Sequence, residues 1–508
     1  MKKIFKYLFI GMFGMLTLSS CNSELLETEP TDAMSGSTFM GDATKALIPL
    51  NGIYRSMYTA GWSTTGNTHQ CFGISAYNLM GEVMGDDFIM GAQGSGWFWF
   101  DAAYNVKTRY TSGAWRSYDL WMAYYTWIAN ANYIIAAEET MEGSTEDVSY
   151  VIGQAYAIRA YSYFMLAQTF ARGYDHPGDP CVPIYNEPTM TTTTGQPRET
   201  VAKVYEQIDN DINKAVDLLS KSPAQRHPSH MSYAVALGLK SRICLVEEKW
   251  NDALDAAQKA INASGKRVIP ISSFVGTNSV DAANVMWGAQ IVSDQAGMYA
   301  SFFAHMQNYM AYGQTAPKEI SSWLYDKMSA SDTRRAWWNP AQDYVQQKFD
   351  FSNSQTWEGD YIWMRVEEMY LNAAEAACMA GNESLAKEYL MGLMSQRDAN
   401  YSTNKTGTAL ATITTETTGS LREEILIQRR LELWGEDGRI YTIRRLHQGF
   451  ERLSAYGWPD GLLIPTHAAA AKDPNSYLWV LTIPQAEFDG NQNMDLAKDQ
   501  NPTGDYPE

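Results

Sequence analysis

The sequence predicts a mainly α-helical protein, in which tetratricopeptide-like helix pairs form a scaffold and a loop-rich region carries a ligand. Three observations carry this expectation. Apolar residues recur at helical spacing over much of the chain. The helices they mark come in pairs separated by short breaks. The stretches between pairs are long and hold most of the glycine, proline and threonine.

Taken in order, the chain opens on a basic Met1-Lys2-Lys3. An apolar run from Ile4 to Leu18 follows, interrupted only by Lys6, and leads to Leu18-Ser19-Ser20-Cys21. The run is too short for a transmembrane span and reads as a signal peptide over residues 1–20. Small residues before a cysteine are the pattern of a bacterial lipobox, which makes Cys21 the expected lipid attachment point. Several acyl chains on one cysteine hold a protein at a membrane stably, at about 0.8 kcal/mol per buried methylene. The acidic stretch NSELLETEP, within residues 21–40, reads as a tether to a single domain over 41–508.

Residues 115–139 and 147–171 form the first predicted helix pair. Over 200–220, Val201, Val204, Tyr205, Ile208, Ile212, Ala215 and Leu219 fall on one helical stripe. A turn, SPAQRHPSH, separates it from a helix over Met231–Val246, whose Ala234, Ala236 and Gly238 allow close approach. Another helix starts at about Trp250 and stops at Gly265, a favourable residue just past a helix end. Residues 361–380 and 383–398 make a later pair, broken at Gly381-Asn382. Helix pairs of this kind bury their faces by stacking on one another, although no strict 34-residue period is present. The predicted scaffold covers about 115–265 and 361–450. The irregular segments are 60–114, 172–199, 266–360 and 399–420, and loops of such length are usually functional or flexible. Those over about 60–114 and 266–360 are the candidate ligand-binding ones.

Composition narrows the function. The chain has 508 residues, a formal charge of −18, 45% hydrophobic residues and 13% aromatics, with 16 Trp and 31 Tyr. An acidic surface repels phosphate backbones, so no nucleic-acid partner is expected. Besides Cys21, four cysteines are present. Cys244 and Cys378 sit in helical patterns as small core residues, while a disulfide between Cys71 and Cys181 stays open. No Cys/His cluster has metal-ligand spacing, and neither a metal nor a cofactor is expected.

Two aromatic segments remain as candidate binding sites. A sugar ring has an apolar C–H face and a polar rim, which suit an aromatic ring beside amides or carboxylates. The first segment is GSGWFWFDAAYN. Read as a strand, it turns Trp97 and Trp99 to one face and Phe98 and Phe100 to the other. The second is 298–323, where Tyr299, Tyr309, Tyr312 and Trp323 alternate with Gln307, Asn308 and Gln314. The candidate ligand contacts are Trp97, Trp99, Tyr299, Tyr309 and Trp323. Trp115, Trp121, Trp127, Trp287 and Trp434 read as core, and Trp337-Trp338 fit either role. Glycoside hydrolysis needs two carboxylates across a cleft. Asp86-Asp87 reads instead as a turn element or a hydroxyl acceptor, and Glu367-Glu368 and Glu423-Glu424 as packing and solvated helix positions. No nucleophile, phosphate-loop or zinc-protease motif is present, so an enzyme is not expected.

Several segments together resemble the SusD/RagB family, the outer-membrane nutrient-binding lipoproteins of Bacteroidota. They are QAYAIRAYSYFMLAQTF (154–170), KVYEQIDNDINKAVDLL (203–219), AVALGLKSRICLVEEKWNDALDAAQKAINASG (234–265), YIWMRVEEMYLNAAEA (361–376), IPQAEF (483–488) and QNPTGDYP (500–507). The most diagnostic is QRRLELWGEDGRIYTIRR (428–445), which keeps Arg429, Glu432, Leu433, Glu436, Arg439 and Arg445 and departs from the family at Gln428 and Thr442, where acids are usual. The departures suggest rearranged internal ion pairs. The resemblance implies a cell-surface lipoprotein on the outer membrane, facing the exterior. It implies capture of a neutral oligosaccharide or polysaccharide and delivery to a SusC-like TonB-dependent transporter. It also places ligand-contacting aromatics in the two segments above. Some relatives take peptides instead, so a peptide-binding lipoprotein is the alternative.

Overall fold

A computed structural model describes residues 39–60, 65–105, 111–463 and 472–502. The expected signal peptide, Cys21, most of the tether and the end of the 500–507 motif lie outside the described residues.

Helix α1 spans Ala43–Ser56, α2 Ile74–Met84 and the short α3 Trp99–Ala102, with strand β1 at Phe88–Met90 between the last two. The scaffold follows: α4 Trp115–Ile135, α5 Thr145–Phe170, α6 Val201–Ser220, α7 Tyr233–Val246 and α8 Trp250–Ser264. Each of these packs on the next. The loop-rich insertion contains β2 Val285–Ala289, α9 Phe302–Met306, α10 Ala311–Thr315, β3 Lys318–Ile320, α11 Ser322–Tyr325, β4 Trp338–Asn339 and β5 Val345–Gln346. The chain re-enters the scaffold through β6 Tyr361–Arg365, then α12 Val366–Met379, α13 Glu383–Met394, α14 Leu421–Glu432 and α15 Arg439–Arg445. It closes with α16 Gln485–Gly490 and the short α17 Leu496–Asp499. Because α12 packs on α8, residues 266–360 leave the helical stack and return to the same place.

The helix starts are chemically marked. Ser144 Oγ accepts from Asp147 N at 3.0 Å, Ser232 caps Val235 N at 3.3 Å, Asn382 caps Leu385 N and Ser420 caps Glu423 N at 3.0 Å. Each satisfies an amide that the first helical turn leaves without a partner. The apolar stripe of α6 is buried. Gly238 lets α7 approach Met364 and Met369 so closely that a Cβ there would lie 2.5 Å from the Met364 sulfur.

Two expectations change. Segment 60–114 is not all loop, because α2 is buried on every side. A helix without a polar face shows no amphipathic period. In 361–380 the first five residues form β6, paired antiparallel with β2, and the helix begins only at Val366. A second sheet runs β1-β3-β5-β4. Cys71 and Cys181 are both buried and free, so the pairing left open by the sequence is not formed.

A buried ion network fastens the insertion to the scaffold. Glu432, the last residue of α14, and Glu436, in the turn after it, receive Arg365 (3.1 and 2.7 Å), Arg397 (2.8 Å to Glu432) and Lys348 (2.5 Å to Glu436). Arg397 also reaches Glu367 at 3.2 Å. Gln428 accepts from Arg334, whose guanidinium also pairs with Asp332 at 2.7 Å. A neutral acceptor is therefore sufficient at a position already supplied with carboxylates. Glu367, Glu368, Glu423 and Glu424 are not solvated. The first three are buried, and Glu424 binds Lys405 at 2.7 Å.

Candidate functional site

The GSGWFWF segment is not a strand. Gly94, Gly96 and Phe98 all have positive φ (52°, 85° and 63°), and three left-handed residues within five turn the chain where a strand needs extended backbone. The Trp-out, Phe-in alternation is lost with it. Phe98 is buried, but Phe100 is 43% exposed. Trp99 packs against Gly461, where a Cβ would come within 2.9 Å of its ring. Phe98 anchors the turn: its amide donates to Gln70 Oε1 at 2.8 Å, and its ring meets His305 edge to face at 4.9 Å. Arg116, at the start of α4, braces both strands of chain. It pairs with Asp101 at 2.8 Å and donates to the Gln70 carbonyl at 2.9 Å.

This bracing leaves Trp97 half-buried in a cluster of rings drawn from four distant segments. Trp97 meets Tyr312 edge to face at 5.9 Å. Tyr312 lies 5.5 Å from Tyr299, and Tyr299 lies 4.9 Å from Trp357. His69 touches three of them: Trp97 at 5.3 Å, Tyr312 at 5.6 Å and Tyr299 at 6.3 Å with parallel planes. A hydrogen bond joins His69 Nδ1 to the Tyr312 hydroxyl. Tyr299 stays 41% exposed. The backbone is held in uncommon conformations to make this arc, with Tyr299, Ala311 and Trp357 at φ 62°, 55° and 62°. Gly313 is required for it, since a Cβ there would sit 2.0 Å from the Gln307 carbonyl oxygen.

Beneath the arc, His305 stacks on Tyr312 at 5.1 Å and bonds to the His69 carbonyl at 2.6 Å. Burial, reinforced by nearby Lys318, lowers His305 to about 3, so it stays neutral and acts as a fixed donor. Beside the arc, the exposed Tyr309 hydroxyl donates to Asp350 at 3.1 Å, and Gln307 Nε2 donates to the same carboxylate at 3.1 Å. Burial and then Asp350 push the Tyr309 hydroxyl up. The arrangement offers stacked or tilted ring faces with a carboxylate and amides at the margin. It suits the apolar face and polar rim of a neutral ring.

The structure thus brings Trp97 and Tyr299 together and sets Tyr309 beside them. It places Trp323 elsewhere, held between Lys327 at 4.2 Å and Arg430 at 4.6 Å from its ring centroid. Asp86 and Asp87 are buried ion partners of Arg439 (2.8 Å) and Arg430 (2.6 Å), not hydroxyl acceptors at a surface. Burial raises the Asp86 carboxyl, and Arg439 and Arg430 more than offset this, holding it below the usual range. Trp337 and Trp338 are core residues. Sequence reasoning missed His69 and Trp357. Neither sits in an aromatic run, and only the alternation of polar and aromatic residues near Trp357 could have drawn notice.

Comparison with known proteins agrees with this architecture. Residues 78–245 match the SusD-like family model described as starch-binding associating with outer membrane, and residues 285–503 match the SusD family model. The chain belongs to the SusD/RagB family, a group associated with the outer membrane. Among solved structures, it is similar to a SusD-like carbohydrate binding protein from Bacteroides vulgatus, with TM-score 0.74 and 24% identity over 92% of this chain and 100% of that one. A SusD superfamily protein from Bacteroides thetaiotaomicron gives 0.71 and 22% over 91% and 100%. Surface glycan-binding protein A from the same species, solved with laminarihexaose, gives 0.65 and 16% over 90% and 99%. At these identities the likeness is one of fold. No curated protein matches the chain. Among the described residues, no helix is long and apolar enough to cross a membrane.

Proposed function

We propose that this chain captures a neutral glycan at the arc formed by Trp97, His69, Tyr312, Tyr299 and Trp357, with Tyr309 at its margin. The observation that carries the reading is the arc itself: four segments, three of them with strained backbone, converge to expose rings beside Asp350 and Gln307. The laminarihexaose complex of a structurally similar protein supports the ligand class. Trp99 and Trp323 take supporting places in this reading. The role is binding without catalysis, because the carboxylate pairs are committed to buried ion pairs and capping contacts. The protein is anchored through Cys21 at the outer face of the outer membrane and hands its ligand to a SusC-like TonB-dependent transporter. An array of neutral and acidic glycans, with neutral peptides as the rival class, tests the reading. Neutral glycans should bind, and Trp97→Ala should weaken that binding. Retention of peptides alone would reassign the ligand.

A further inference from the structure

We infer a second ligand site, distinct from the arc, in a groove of about 400 Å³ between the middle of α4, the 185–195 loop and α16. Its volume lies within the range of small-ligand pockets, roughly 300–1,000 Å³. The floor is aromatic, with the half-buried Tyr125 and Tyr185 rings toward the groove and Trp121 buried behind them. Trp121 and Tyr125 lie 4.9 Å apart, and Tyr185 meets Tyr125 edge to face at 5.9 Å.

The floor and one wall are fixed in advance. Trp121 Nε1 donates to Glu487 Oε2 at 3.1 Å, and Asn491 Nδ2 donates to Glu487 Oε1 and to the Gln196 carbonyl, both at 2.7 Å. The Tyr125 hydroxyl donates to the Pro183 carbonyl at 2.7 Å. Little ordering remains to be done when a ligand enters. The other wall carries Thr126 and Thr189, whose hydroxyls have no protein partner among the described residues. The groove is lined by one carboxylate and by no Lys, Arg or His. It therefore disfavours anions and offers hydroxyl and carboxylate acceptors around an apolar floor. The chemistry that fits is a neutral sugar ring or a short run of them. The inference uses none of the arc's residues and stands or falls apart from it.

Nitrogen-15 labelling of tryptophan in the whole chain gives separate indole signals for Trp121 and Trp97. The probes are neutral hexaoses of glucan, xylan, mannan and galactan type, with a neutral hexapeptide mixture as comparison. Two variants block the groove. Gly490 lines the groove and an added Cβ there meets nothing within 4 Å, so Gly490→Trp adds bulk at the groove without disturbing the core. Thr193→Trp approaches from an exposed loop. The Trp121 signal should move saturably with at least one hexaose, in the parent and in Trp97→Ala alike. Apparent Kd should rise at least tenfold in both blocked variants. No movement with any hexaose, unchanged binding in the blocked variants, or movement with peptides alone would overturn the inference. A Trp97 signal that stays still while Trp121 responds would count against the arc and leave this groove standing.

Discussion

His69 and Tyr312, 243 residues apart in the chain, share a hydrogen bond that ties the turn after α1 to the short helix α10. Trp97 packs against both rings, so the contact holds the insertion and the N-terminal loops in one surface. Removing the hydroxyl with Tyr312→Phe keeps the ring and frees its tilt. Glycan affinity should fall about three- to tenfold with little change in Tm, a cost of about 0.7–1.4 kcal/mol. Titration calorimetry reads the affinity, and an unchanged Kd would mean that the ring's orientation does not matter to the ligand.

Trp323 separates the arc from its surroundings. Its ring is occupied by Lys327 and Arg430, and Arg430 in turn holds Asp87. Trp323→Ala should leave glycan affinity within about twofold and lower stability by roughly 1–3 kcal/mol. Thermal unfolding and calorimetry on the same sample check both halves. A large loss of affinity at unchanged stability would return Trp323 to the ligand.

The network around Glu432 predicts strong non-additivity. Arg397→Met leaves a buried carboxylate short of a partner and should cost about 3–5 kcal/mol. Replacing both partners, Arg397→Met with Glu432→Leu, should recover part of that loss, because no uncompensated carboxylate remains at position 432. Denaturant unfolding of both single variants and of the double decides it; simple addition of the two single losses would show that the pair is not coupled.

Stability should rise with pH through two buried groups, in two separate windows. Burial raises the Glu375 carboxyl, but Arg445 at 2.6 Å more than offsets this and holds it at about 2, below the ordinary 4.5 of a glutamate. A depressed carboxyl contributes stability that is present above about pH 4.5 and lost as pH falls toward about 2. Glu375→Gln should flatten that acid limb.

Lys318 is buried where β3 meets β1, and burial, opposed by Glu319, lowers it to about 7. The unfolded chain binds this proton more tightly, so stability should rise with pH between about 7 and 10.5. Lys318→Met should remove that rise and be more stable at pH 7 by about 2–4 kcal/mol. A rise that persists in the variant would place its origin elsewhere.

The helical stack was legible because its helices are amphipathic or punctuated: the α6 stripe, the Ser and Asn caps and the break at Gly381-Asn382 all leave marks in sequence. Helix α2 left none, being buried all round. At the site, the sequence singled out Trp97, Tyr299 and Tyr309 because they lie in aromatic runs. It missed His69 and Trp357, which join the arc only through tertiary contacts. Over Trp97–Phe100 the period-two alternation points to a strand, but the turn-forming glycines at 94 and 96, both at positive φ, override it locally. Trp323 resembles its neighbours in type and spacing, and only the cations packed on its faces set it apart.

The central claim is that the arc holds a neutral glycan through its ring faces. Titration calorimetry with a neutral oligosaccharide selected from the array, comparing the parent with a Trp97→Ala/Tyr299→Ala double variant, tests it most directly. The account predicts at least a hundredfold loss of affinity, about 2.7 kcal/mol or more, with the unfolding temperature nearly unchanged. Parent-like affinity in the double variant would contradict it.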